Sequence, residues 1–142
     1  MRYAEDVRPG DNLPRLVKHP TTRQLVQYAG ASGDFYEIHY DRPYAERAGL
    51  PGVIIHGLLK AGWLGELVRA WAGADAWIRR LSVSYRGIDE PGQPYTVSGT
   101  VTAVEPTADG GRVTLELWGE SADGRRTTLG TAEVDLPGRR PA

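Results

Sequence analysis

The segment Gly57-Leu58-Leu59-Lys60-Ala61-Gly62-Trp63-Leu64-Gly65-Glu66-Leu67-Val68-Arg69-Ala70-Trp71-Ala72 is the most apolar stretch of this 142-residue chain. Its hydrophobic side chains occupy more than one helical face, a pattern typical of a helix that is buried on several sides. Lys60, Glu66 and Arg69 are its polar remainder. The pattern predicts a central helix over residues 57–72.

From residue 77 onward, apolar and polar residues alternate with a period of two, which favours β-strands. Turn signals separate the runs at Asp89-Glu90-Pro91-Gly92, Asp109-Gly110-Gly111 and Ala122-Asp123-Gly124-Arg125. We therefore predict a meander of long antiparallel strands. Helices followed by strands define an α+β fold, with a single sheet wrapped around the long central helix. We predict one domain over residues 1–136 and a flexible tail over 137–142.

Two shorter helices are predicted before the central one. The segment Thr21-Thr22-Arg23-Gln24 has the pattern of a capping box, which begins a helix that Gly30 or Gly33 can end. Pro43 suits the first turn of a second short helix. The intervening residues 34–41 are polar and are predicted to form a loop.

Composition excludes several classes of function. Lys and Arg together number 17 against 18 Asp and Glu, so no basic surface is available for nucleic acid. The absence of cysteine rules out disulfides, a thiolate nucleophile and Cys-ligated zinc. The amino terminus does not resemble a signal peptide, and no run approaches the ~18 apolar residues of a membrane span. We expect a cytoplasmic protein that binds neither nucleic acid nor membrane.

Asp34 and His39 lie five positions apart in the predicted loop. A carboxylate and an imidazole within hydrogen-bond reach can hold a water molecule, deprotonate it and return a proton, which is worth about 10²- to 10⁴-fold in rate. The sequence does not decide which of the two is the acid and which the base. It is equally compatible with structural roles, in which Asp34 caps a turn and His39 is a hydrogen-bonded loop histidine.

His56 and Gly57 stand at the start of the predicted central helix. The amide of a glycine at a helix amino end can donate to a developing oxyanion, although the same glycine suits an ordinary tight turn. His56 can donate to a substrate or pack under that turn. Because the histidines have no metal-ligand spacing and no glycine-rich phosphate loop follows a strand, we predict neither a metal nor another cofactor.

Several segments together resemble the MaoC-like (R)-specific enoyl-thioester hydratases and (3R)-hydroxyacyl dehydratases of the hotdog fold. The matching segments are Glu5-Asp6-Val7-Arg8-Pro9-Gly10-Asp11, Tyr28-Ala29-Gly30-Ala31-Ser32-Gly33-Asp34, Ile38-His39-Tyr40-Asp41, Gly49-Leu50-Pro51, His56-Gly57-Leu58-Leu59, Tyr85-Arg86-Gly87 and Pro91-Gly92. The resemblance covers nearly the whole chain. A Gly-Asp and Ile-His pair followed by His-Gly is its most specific part.

The resemblance implies a single MaoC-like hotdog domain over residues 1–136. It implies that Asp34 and His39 form a catalytic dyad and that the Gly57 amide polarises a thioester carbonyl. Water would add reversibly to a trans-2-enoyl thioester of CoA or acyl carrier protein, giving the (3R)-hydroxy product without any cofactor. The acyl chain would enter a tunnel beside the central helix, and two hotdog subunits would pack around the sites as a homodimer or a heterodimer.

The chain departs from the family pattern between the two dyad residues. The usual Asn-Pro pair is replaced by Tyr36-Glu37, which removes a rigid proline and places a bulky ring where it can contact substrate. The family's auxiliary serine also lacks a counterpart after Gly57. Two alternatives therefore stand beside an active hydratase: a weakly active or non-catalytic subunit of a heterodimeric dehydratase, and a hotdog acyl-thioesterase.

Overall fold

The computed structural model describes residues 1–139 of the chain. Its α-helices are α1 (Thr22–Ser32), α2 (Arg42–Arg47) and α3 (Gly57–Ala72), and single turns of 3-10 helix lie at Ala4–Asp6 and Glu37–His39. Its strands are β1 (Leu16–Lys18), β2 (Trp77–Tyr85), β3 (Tyr95–Thr107), β4 (Gly110–Glu120) and β5 (Arg126–Pro137). The predicted α+β organisation is confirmed.

The central helix α3 has the predicted bounds and packs against the sheet. Its buried apolar side chains contact alternate residues of β3, β4 and β5, which forms one continuous core. Trp63 and Trp71 lie in that core, as their spacing of two helical turns suggests. On β4 the predicted alternation is confirmed, because Val113, Leu115 and Leu117 face the helix while Trp118 lies on the other face.

The sheet is antiparallel with the strand order β1-β3-β4-β5-β2. Strands β3, β4 and β5 form the predicted meander, but β2 pairs with β5 and not with β3, so the prediction of one continuous meander is wrong at β2. The connection from β2 to β3 runs past the first turn of α3, where Lys60 Nζ donates to the Gly87 carbonyl and to Asp89. Because of this crossover, β2 lies at one edge of the sheet, and β3 lies near the other edge, next to β1.

Lys60 is buried, although it was expected on the polar side of α3. Its side chain is 2% exposed and pairs with Asp89, which is 5% exposed, at 2.9 Å. Asp89 also accepts hydrogen bonds from Ser121 Oγ and from Thr127 Oγ1. A buried charge persists only when such partners compensate for its desolvation. The helical pattern could not indicate this, since the partners come from distant segments.

The first residues of the predicted tail, 137–139, contact other segments of the chain. Strand β5 includes Pro137, and the Gly138 N–H donates to the Asp109 carbonyl. Arg139 Nη2 pairs with Asp6 at 2.6 Å, so the described residues after 136 are held against the first segment of the chain. The rest of the predicted tail, 140–142, lies outside the described residues. Within residues 1–139, every helix is too short or too polar to cross a membrane.

Candidate active site

The loop that carries Asp34 is fixed by local hydrogen bonds. Helix α1 begins at the Thr21 cap, whose hydroxyl accepts from the Gln24 N–H, and it ends at Gly33 with φ +77°. A left-handed residue at this position favours glycine, because other residues are strained there. The Asp34 N–H then donates to Ser32 Oγ, and Asp34 Oδ1 accepts from the Tyr36 N–H. One carboxylate oxygen thus caps a turn, as the structural alternative proposed, and Oδ2 remains available.

His39 lies in a 3-10 turn inside the predicted loop and is buried. Its Nδ1 is 2.7 Å from the Ile54 carbonyl oxygen, which can only accept. Nδ1 therefore carries the proton of the neutral ring, and Nε2 has a free lone pair. This Nε2 is 3.7 Å from Asp34 Oδ2, which is longer than a hydrogen bond.

Two hydrogen-bond acceptors thus face each other. The neutral His39 Nε2 and an ionised Asp34 carboxylate cannot hydrogen-bond directly, because neither atom carries a proton. A water molecule beside both atoms can donate one proton to each of them. The structure therefore brings the two predicted dyad residues together in an arrangement suited to holding and deprotonating water.

His56 lies behind the dyad. It is fully buried, its ring stacks on His39 with centroids 3.7 Å apart and planes 18° apart, and its Nε2 is 3.3 Å from the Asp34 carbonyl oxygen. Burial, and secondarily the His39 ring, lowers the pKa of His56. Of the two roles considered above, burial favours the packed one, because the ring has no exposed surface for a substrate to contact.

The same three residues could be mistaken for a metal site. Potential ligand atoms of Asp34, His39 and His56 lie within 4.8 Å of one another. An imidazole nitrogen binds a metal in the plane of its ring, at about 2.0–2.1 Å for zinc. Two nearly parallel stacked rings cannot both aim at one ion at that distance. The residues therefore do not fit a metal, and the metal-free site stays a prediction.

Gly57 is the first residue of α3, and within residues 1–139 its N–H has no hydrogen-bond acceptor. The amide is thus free to bind a ligand, because the first N–H groups of an α-helix have no partner within the helix. A Cβ at this position would lie 3.1 Å from the Tyr85 ring. The glycine therefore permits close packing of Tyr85. No local pattern in the sequence indicates this contact, because Tyr85 is 28 positions away.

Tyr36 lies on the outer side of the dyad. It is 50% exposed, and its ring meets the edge of His39 and of Tyr44 at centroid distances of 6.3 and 6.1 Å. Proximity to Tyr36 raises the pKa of Tyr44. Tyr36, one of the two residues in place of the family's usual Asn-Pro pair, thus lies beside His39 and is half exposed.

A groove of about 440 Å³ has Ile55, Asp89 and Tyr95 among its lining residues. Tyr36 is not part of its lining, and neither is any residue of α3. Between α3 and the sheet, the space is filled by Trp63 and other buried side chains. Among the described residues, this groove therefore does not run along α3, and the tunnel expected beside the helix stays a prediction.

Comparison with known proteins identifies the family. A family model described as a MaoC like domain matches residues 4–117. The fold and the match to this family model together define the class of protein. This chain belongs to the MaoC-like domain family of hydratases. The structure superposes on the (R)-hydratase from A. caviae involved in PHA biosynthesis with a TM-score of 0.83 and 25% identity, covering 94% of this chain and 99% of that one. The predicted hotdog fold is confirmed.

Two curated proteins show similar sequences. The chain is 33% identical over 134 residues to the 3-oxo-4,17-pregnadiene-20-carboxyl-CoA hydratase beta subunit of Mycobacterium tuberculosis, covering 89% of this chain and 93% of the relative. It is 26% identical over 107 residues to the (R)-specific enoyl-CoA hydratase of Rhodospirillum rubrum, covering 75% and 74% respectively. Both relatives are named as hydratases, in agreement with the family.

Proposed function

We propose that this protein reversibly adds water to trans-2-enoyl thioesters of CoA or acyl carrier protein, giving (3R)-hydroxyacyl thioesters. The observation that carries the proposal is the pair of facing acceptors, His39 Nε2 and Asp34 Oδ2, 3.7 Å apart with the tautomer of His39 fixed by Ile54. Similarity to two hydratases supports it. The cytoplasmic location stays a prediction.

The proposed reaction follows from the protonation states. Water held by Asp34 and His39 forms a bond from its oxygen to C3 of the enoyl group, and one of its protons passes to the dyad. The Gly57 N–H stabilises the negative charge that develops on the thioester oxygen. Because neither facing atom carries a proton at the start, the proton that the dyad then gives to C2 is the one taken from water. The sum is one added water molecule.

We propose that the functional unit includes a second hotdog subunit. Strand β2 pairs with β5 alone among the described strands, so its other edge is free to bind a strand. Tyr85 ends this strand and packs on Gly57, so a partner on the β2 edge would lie beside the site. Exposed apolar side chains flank the dyad and the helix start: Phe35, Tyr36, Leu58 and Tyr85. The relative named as a beta subunit favours a heteromeric hydratase as the second candidate.

An assay with crotonyl-CoA tests the function. We expect the conjugated enoyl absorbance to fall, no free thiol to appear, and chiral chromatography to show the (3R)-hydroxy product. Release of thiol without loss of the enoyl group would instead support the thioesterase alternative. If neither loss of the enoyl absorbance nor free thiol is detected, the protein is not an enzyme that is active alone, and the heteromeric candidate is favoured. Native mass spectrometry and addition of the partner subunit then test that candidate.

Replacing Gly57 by Pro should lower kcat for hydration by about 10²- to 10³-fold, the loss typical of removing an oxyanion donor. Proline suits the first position of a helix, and His56 already has φ −56° and ψ 133°, which a following proline favours. We therefore expect Gly57→Pro to fold, which circular dichroism checks, while steady-state kinetics measure the loss.

Gly57→Ala is the matched control, because it introduces the same Cβ against Tyr85 but keeps the N–H. We expect the alanine variant to retain at least ten times the kcat of the proline variant. Equal activities for the two variants would show that the steric contact, and not the amide donor, controls the rate.

A further inference from the structure

One buried residue contacts both dyad residues and is adjacent to Gly57 in the chain. His56 immediately precedes Gly57 and forms the N-cap position of α3. Its Nε2 reaches the backbone carbonyl of Asp34, and its ring face lies against His39. The edge of Tyr28 packs on it with the centroids 4.8 Å apart. His56 therefore links the loop that carries the carboxylate to the helix end that carries the free amide.

The hydrogen-bond partners define the state of this ring. The Asp34 carbonyl can only accept, so His56 Nε2 carries a proton. The groups facing His56 are His39, Asp34 and Tyr28, and burial together with the His39 ring disfavours a second proton. In the neutral ring Nδ1 is an acceptor, and within residues 1–139 this buried atom has no hydrogen-bond partner.

An unpaired buried acceptor has a cost. Leaving such a group unsatisfied destabilises a fold, whereas an apolar ring of similar shape avoids that penalty. Packing alone therefore does not account for a histidine at this position. What an apolar ring lacks is the Nε2–H that holds the Asp34 carbonyl.

We propose that His56 is a positioning residue, whose Nε2–H fixes the Asp34 loop relative to the Gly57 amide so that the dyad and the oxyanion donor act on the same substrate. This inference rests on the proposed hydratase function. The two halves of the site are 22 positions apart in sequence, and His56 joins them by one hydrogen bond. A displacement of about 1 Å in such a site can cost about 10²-fold in rate.

Two variants separate the hydrogen bond from the ring stack. His56→Phe keeps an aromatic ring against His39 but has no donor, and His56→Gln keeps an N–H at a similar reach but has no ring. We expect His56→Phe to lower kcat for crotonyl-CoA hydration by about 10- to 100-fold with KM changed less than twofold. We expect His56→Gln to recover most of that loss.

Thermal unfolding distinguishes positioning from structural support. His56→Phe removes the unpaired Nδ1, and water can replace the lost donor in the half-exposed Asp34 loop, so we expect its Tm to equal or exceed that of the wild type. His19→Phe, at an exposed histidine outside the site, is the matched control and should retain full kcat. Full activity of His56→Phe, or parallel loss of Tm and kcat, would overturn the proposal.

A readout independent of turnover separates this inference from the proposed function. Ring-nitrogen NMR at neutral pH should show His56 protonated on Nε2 alone, and amide exchange at residues 34–36 should accelerate in His56→Phe but not in His56→Gln. An inactive wild type with these signals would contradict only the hydratase function. A wild-type His56 protonated on Nδ1, or exchange unchanged in His56→Phe, would contradict only the positioning role.

Discussion

Asp34→Asn and His39→Asn should each lower kcat for hydration by about 10²- to 10⁴-fold, the range that a positioned acid–base group contributes. In Asp34→Asn, the amide can donate to His39 Nε2, which occupies the lone pair that the water needs. In His39→Asn, the amide can replace the Nδ1–H that binds the Ile54 carbonyl, while the base at Nε2 is lost. Steady-state kinetics with crotonyl-CoA measure both effects.

The two variants should remain folded for different reasons. The Asp34 side chain is 39% exposed, so the change to Asn leaves no buried group unpaired. His39→Asn is preferable to His39→Ala because it retains a partner for Ile54 and leaves a smaller cavity; the alanine variant should be equally inactive. His19→Asn serves as the control at an exposed position. Near-normal turnover in either dyad variant, with circular dichroism unchanged, would refute the proposed roles.

Lys60→Met should reduce the free energy of unfolding by about 3–5 kcal/mol, because it leaves the Asp89 carboxylate buried without its counter-charge. Methionine matches the length of lysine and fills the same space, so the loss reports the charge and not a cavity. Urea denaturation followed by tryptophan fluorescence measures it. The double variant Lys60→Met with Asp89→Asn should recover part of the loss, since no net charge then remains buried.

The exposed pair Arg42–Glu46 provides the matched control. Its side chains are 73% and 50% exposed, and surface pairs of this kind contribute about 0–1 kcal/mol. Arg42→Met should therefore unfold at nearly the wild-type urea concentration. If Lys60→Met and Arg42→Met reduce the free energy of unfolding by the same amount, the buried Lys60–Asp89 pair does not stabilise the crossover between β2 and β3.

The elements that were predicted correctly rest on local signals. The bounds of α3 follow from its apolar pattern, the start of α1 from the Thr21 cap and its end from the left-handed Gly33. The place of β2 in the strand order was not predicted, because strand order depends on where a connection crosses the core. The burial of Lys60 was missed for the same reason, since Asp89 is 29 positions away.

The candidate site was predicted as a set of residues but not as a geometry. The sequence placed Asp34, His39, His56 and Gly57 in two short segments, and the structure joins these segments through the ring of His56. Which nitrogen of His39 is protonated depends on the Ile54 carbonyl, 15 positions away, which no local pattern indicates. The contact between Tyr85 and Gly57 likewise appears only when β2 meets the start of α3.

By itself, the sequence determined the α-helices, the strands from residue 77 onward and the residue types available for acid–base chemistry, because helix caps, periodicity and turn residues act over a few positions of the chain. Only the tertiary structure decided the strand order, the buried Lys60–Asp89 pair and the proton positions on His39 and His56. These features depend on partners brought together by folding, since a carbonyl oxygen fixes the proton of a ring nitrogen only when it lies within about 3 Å of that nitrogen.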